Sequence, residues 1–151
     1  MQTPAPSLSP QLIGQTENAL RAILNRQLAG TGVSYPQWIA LLLSATNDES
    51  RDREQLAGCV ARALKIDQTA AESHFQRLAS SGLIETGTES SSPITVTPAG
   101  QRLVDHVRAQ AGGITQRLWA DLPTAELAAA GRVLSTVLAR AEAELSAASW
   151  R

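Results

Sequence analysis

Four side chains between residues 69 and 77 carry donors and acceptors of the kind that can read base-pair edges. Thr69, Ser73, Gln76 and Arg77 recur at steps of three and four, which on an α-helix places them on one face. Gln76 has an amide that can pair bidentately with adenine, Arg77 a guanidinium that suits guanine or a phosphate, and the two hydroxyls suit either. Arg51, Arg53 and Arg62 precede this stretch and Arg102 follows it; each can neutralise a phosphate. The same residues also suit the plain solvated face of an amphipathic helix, so both readings stand at this point. Glu72 shares the polar face, where it can accept from a cytosine amino group but is repelled by phosphates. From Asp48 to Gly100, eight acidic side chains stand against five basic ones, so phosphate attraction there has to be local.

Other chemistries find no support. The chain has no Ser/His/Asp set, phosphate loop or paired-carboxylate motif, and its two histidines, His74 and His106, form no ligand cluster. A single cysteine, Cys59, excludes an intramolecular disulfide and a CxxC metal site. No catalytic residue, metal or cofactor is expected, and the chain reads as a non-enzyme. Cys59, between Gly58 and Val60, reads as a small packed core residue. His74 belongs to the inner face of its helix. The longest apolar run, Trp38 to Leu43, is far short of a membrane span, and no basic segment followed by an apolar one opens the chain; a cytoplasmic protein without membrane contact is expected.

Positioning the four readers requires a rigid helix. Ala70, Ala71, His74, Phe75 and Leu78 share the opposite face of residues 69–80, which gives that helix an inner side. Asp67 or Gln68 caps its start, and Ser81-Gly82 stops it. Residues 83–86 and 94–97 are short β-prone runs on either side of a Gly/Ser/Pro-rich tip, a hairpin pattern. Thr97 then caps a helix with Pro98 at its first position. Upstream, Ser34-Tyr35-Pro36-Gln37 opens an apolar helix, Thr46 to Asp52 is a polar linker, and Leu56, Val60 and Leu64 mark a helix over 53–64. The tight link Lys65-Ile66-Asp67 completes helix-turn-helix spacing, and the hairpin makes it a winged helix-turn-helix. Aromatic residues are 3% of the chain, so the core should be aliphatic.

The flanks are helical as well. Residues 1–10, with three prolines, read as a flexible arm; Leu12, Ile13, Thr16, Leu20, Ile23, Leu24, Gln27 and Leu28 then form one stripe. After Gly100 a long helical pattern is interrupted at Gly112-Gly113. Asp121 to Thr124 is a turn with Thr124 as N-cap. The steps between Leu127, Leu134, Leu138, Ala141 and Leu145 are those of a coiled-coil seam, which needs a partner.

The run Gln76-Arg77-Leu78-Ala79-Ser80-Ser81-Gly82-Leu83-Ile84, the short hairpin, and Val96-Thr97-Pro98-Ala99-Gly100 resemble the MarR family of dimeric transcriptional regulators, in register over roughly residues 10–149. The resemblance implies a mainly α fold with a small β-hairpin wing in one MarR-like domain. Helices at about 10–29 and 101–149 would build a homodimer around a winged helix-turn-helix at about 34–100. It implies a repressor on double-stranded, pseudo-palindromic operator DNA, released by a small lipophilic or phenolic effector. Tyr35, Trp38, His106, Arg108 and Trp119 are the side chains that would line an effector crevice; Trp38 equally suits a core position. Family wings commonly carry Asp-x-Arg, whose arginine enters the minor groove, whereas this wing has no Arg or Lys between Leu83 and Gly100. That departure favours a second reading, a MarR-like dimer with weakened DNA binding that serves as a ligand-binding or protein-interaction module.

Overall fold

The computed structural model describes residues 4–48 and 51–148. The start of the expected N-terminal arm and residues 49–50 of the polar linker lie outside the described residues, as do the last three positions. The elements run α1 (Pro10–Leu28), α2 (Tyr35–Ala45), α3 (Arg53–Leu64), α4 (Gln68–Ser80), β1 (Ile84–Thr86), β2 (Ile94–Val96), α5 (Pro98–Trp119) and α6 (Thr124–Ala148). This is the expected mainly α architecture with a two-stranded wing.

Polar side chains start the helices by holding first-turn N–H groups. Ser9 Oγ accepts from the Leu12 N–H at 3.2 Å, and Asp67 Oδ1 accepts from the Ala70 N–H at 2.7 Å. Ser34 with Gln37 and Asp52 with Gln55 form reciprocal capping boxes. Caps of this kind contribute about 1 kcal/mol each. At the end of α4, the Leu83 N–H donates to Leu78 O and the Gly82 N–H to Ala79 O, both at 3.0 Å. Gly82 sits at φ 74°, a left-handed conformation that glycine adopts without a Cβ penalty.

The strands pair antiparallel with Ile84 opposite Val96 and Thr86 opposite Ile94, which turns Ile84 and Ile94 into the core. That core is aliphatic around Phe75, with Leu41, Leu56, Val60, Leu78, Val104 and Val107 almost fully enclosed. It fixes the inner face of α4 and leaves the outer face free.

Two boundaries differ from the sequence reading. Helix α5 runs unbroken through Gly112-Gly113: each glycine costs about 1 kcal/mol of helix propensity, yet neither removes a backbone hydrogen bond. Helix α6 begins one residue earlier than expected, because the Pro123 carbonyl accepts from the Glu126 and Leu127 N–H groups, both at 3.0 Å.

The chain falls into two compact units, Met1–Ala111 and Gly112–Arg151. The first holds the winged helix-turn-helix and its core. The second contains α6, none of whose described residues is buried, so Val137 at 45% and Leu138 at 55% exposure keep their apolar surface uncovered. No helix among the described residues is long and apolar enough to cross a membrane.

Candidate nucleic-acid interface

Thr69, Gln76 and Arg77 project from the exposed side of α4, while Ala71, Phe75 and Leu78 anchor its other side. Ser73 is half-buried, and its Oγ donates to the Ala70 carbonyl at 2.7 Å. Its remaining capacity is therefore as an acceptor. All four side chains expected at the DNA thus lie on α4, with Ser73 less accessible than the rest.

Glu72 has a different role from the one its place in the sequence suggests. Arg53 Nε donates to Glu72 Oε2 at 3.0 Å, with side-chain exposures of 16% and 22%. The same guanidinium donates through NH1 to the Gly87 carbonyl at 2.9 Å. Arg53 is consequently engaged inside the fold, whereas the other expected phosphate neutralisers, Arg51, Arg62 and Arg102, are exposed. Sequence reasoning missed this pairing because its partners lie far apart along the chain.

Arg51 and Arg62 line a surface hollow of about 440 Å³ with Gln55, Gly58 and Cys59. Cys59 is half-exposed there instead of packed in the core, because Leu56, Ala57 and Val60 define the buried stripe of α3 and turn Cys59 outward. Arg62 NH2 lies 3.6 Å from its Sγ.

His74 is half-buried, and its Nδ1 is enclosed without a hydrogen bond among the described residues. Desolvation pushes the imidazole below its ordinary pKa of 6.5, and the neighbouring Arg77 guanidinium adds to the effect. The unfolded chain therefore takes up a proton first as pH falls. The His74 contribution is intact above pH 6.5 and declines below it, until the folded imidazole protonates too. A urea-midpoint series from pH 7.5 to 5.5 should show a shallower decline in His74→Gln than in the parent; parallel declines would contradict the assignment.

The side chains expected around an effector are not all brought together. Tyr35 lines a crevice of about 270 Å³ with Glu17, Arg21, Pro36, Ala63, Leu64 and Ile66. The Arg21 guanidinium lies over the Tyr35 ring at 5.3 Å from its centroid and is paired with Glu17. An i, i+4 Glu–Arg pair on α1 was the available sequence signal for these two. Trp38 is a core residue at 5% exposure, which removes it from any accessible wall. His106 and Arg108 are exposed along α5 and neither lines the crevice; Trp119 is exposed near the end of the same helix. Among the described residues no group of three or more His, Cys, Asp or Glu side chains could hold a metal ion.

No family model and no curated protein matches the sequence. Solved structures do match. The transcriptional regulator PA3341 is 26% identical, with a TM-score of 0.71 over 87% of this chain and 96% of that one. A MarR-family transcriptional regulator from Rhodococcus sp. RHA1 is 18% identical, with a TM-score of 0.67 over 87% and 96%. MepR of S. aureus, in a structure of its DNA complex, is 17% identical, with a TM-score of 0.71 over 85% and 93%. The chain has the winged helix-turn-helix fold of the MarR-family transcriptional regulators.

Proposed function

We propose that this protein is a MarR-type transcriptional regulator, a cytoplasmic homodimer that binds a pseudo-palindromic operator as a repressor and leaves it when a small lipophilic or phenolic effector binds. The observation that carries the reading is the outer face of α4, where Thr69, Gln76 and Arg77 stand exposed on a helix whose only carboxylate is neutralised by Arg53. A face with those donors fits the major groove. Arg51, Arg62 and Arg102 supply the phosphate contacts that set register.

The dimer is supported by the uncovered apolar surfaces of α1 and α6. Leu12, Leu20, Val133, Leu134, Val137 and Leu138 are all exposed large apolar residues, and a second copy is the economical cover for such surfaces. Helices at about 10–29 and 101–149 are therefore the dimerisation part, and 34–100 the DNA-binding part. For the effector, the Tyr35 crevice offers an aromatic ring beside a cation, which suits a phenolic or carboxylated aromatic compound.

The second reading, a dimer that binds ligand or protein with little DNA affinity, draws its support from the cation-free wing. Enrichment of random duplexes by the purified protein separates the two. A recovered inverted repeat supports the regulator, and a pool that stays random supports the module. On the recovered site, Arg77→Ala should weaken binding by roughly 1–3 kcal/mol while leaving the oligomeric state unchanged; equal affinity would remove Arg77 from the interface.

A further inference from the structure

We propose that Arg53 is a positioning residue for this interface: it holds the wing and α4 as one body and keeps the Glu72 carboxylate from opposing an anionic ligand. The inference rests on the DNA-binding reading for its second half only.

One planar guanidinium makes both contacts. Nε takes Glu72 Oε2 at 3.0 Å on α4, and NH1 takes the Gly87 carbonyl at 2.9 Å at the start of the wing tip. Arginine is suited to this because its donors diverge from a rigid plane, whereas lysine offers a single nitrogen. Glu72 lies one helical turn before Gln76 and next to Ser73, so an unpaired carboxylate there would stand among the groups assigned to base contact. Paired with Arg53, it contributes no net charge.

The backbone completes the clamp. The Arg53 N–H donates to Ser92 O and the Glu54 N–H to Ser90 O, both at 3.0 Å. The other two open groups at the start of α3 are taken by the capping box: the Gln55 N–H donates to Asp52 Oδ1 at 2.9 Å and the Asp52 N–H to Gln55 Oε1 at 3.0 Å. All four donors that a helix start leaves open are thereby satisfied, two of them by the wing. Gly87 packs closely on the far side of the tip: a Cβ there would crowd Ser92 Oγ, which can rotate, and lie 3.1 Å from Ser92 Cβ. The tip of this wing is thus a cap on α3, and Arg53 is the side chain that ties that cap to α4.

The test compares the full-length parent with R53A, R53K, E72Q and R53A/E72Q by hydrogen exchange without DNA and by titration with a selected duplex over a salt series. R53A should speed exchange in the first turn of α3 and in β1 and β2. It should also weaken binding by about tenfold, the order expected when one uncompensated carboxylate stands near phosphates, with the slope of log affinity on log salt, which counts the phosphates neutralised, unchanged. R53A/E72Q should recover most of the affinity and none of the protection, and R53K should fall between parent and R53A. If Arg53 instead neutralised a phosphate directly, its removal would lower the slope by about 0.9, which would overturn the proposal, as would unchanged exchange in R53A. Should the parent select no duplex, the regulator reading fails, and the exchange comparison still decides whether Arg53 holds the wing.

Discussion

Ended after Thr124, the chain should sediment as a monomer at concentrations where the full chain forms the proposed dimer. The truncation removes nearly all of α6, whose apolar residues Val133, Leu134, Val137 and Leu138 are between 40% and 55% exposed. Burying a Leu or Val side chain yields about 1.5–3 kcal/mol, so the stripe carries enough apolar surface to hold two copies together. The core of the first unit runs from Leu28 to Val107, well clear of the deletion, and the truncated chain should retain its fold. Sedimentation velocity with circular dichroism checks both points. A truncated chain that still sediments as a dimer would move the interface elsewhere, with α1 the next candidate.

The second large effect concerns Gly100. A Cβ on this residue would overlap the Leu83 carbonyl oxygen and lie 2.9 Å from Val96 Cγ1. The obstacle is backbone as well as side chain, and it cannot rotate away. Gly100→Ala must push the first turn of α5 off the root of the wing, where Thr97 Oγ1 donates to the Gly82 carbonyl at 2.6 Å. Overpacking of this kind costs about 3 kcal/mol at the upper end of the usual range. Urea unfolding should show a clear drop in midpoint. An unchanged midpoint would mean that α5 and Leu83 are farther apart than the structure places them. Gly112 offers the contrast, because a Cβ there would face open space: alanine at that position meets no obstacle.

What the sequence made legible was local. Asp67, Thr97, Ser81-Gly82 and the β-prone runs around residues 87–93 act on their immediate neighbours, so caps, stops and the hairpin follow from residue type and spacing. The inner face of α4 was equally readable, because Ala71, Phe75 and Leu78 recur with the helical period. Long-range pairings were not. Nothing in the identity of Arg53 distinguishes it from Arg51 or Arg62, and only the fold brings it to Glu72 and Gly87. Cys59 misled for a related reason: a small sulfur side chain between Gly58 and Val60 looks packable, but the buried stripe of α3 passes it by. Trp38 was ambiguous between core and crevice until the packing of α2 placed it inside. At Gly112-Gly113 propensity alone suggested a break, and the hydrogen-bond ladder of α5 carries through regardless.

In the proposed function α4 reads DNA without the help of a cationic wing. Fluorescence anisotropy of the full chain against the intergenic DNA beside its own gene, at two salt concentrations, tests this most directly. Nanomolar, sequence-selective binding that weakens as salt rises is the expected result, since Arg51, Arg62, Arg77 and Arg102 remain to displace counterions. Micromolar binding that is equal on unrelated DNA would contradict it.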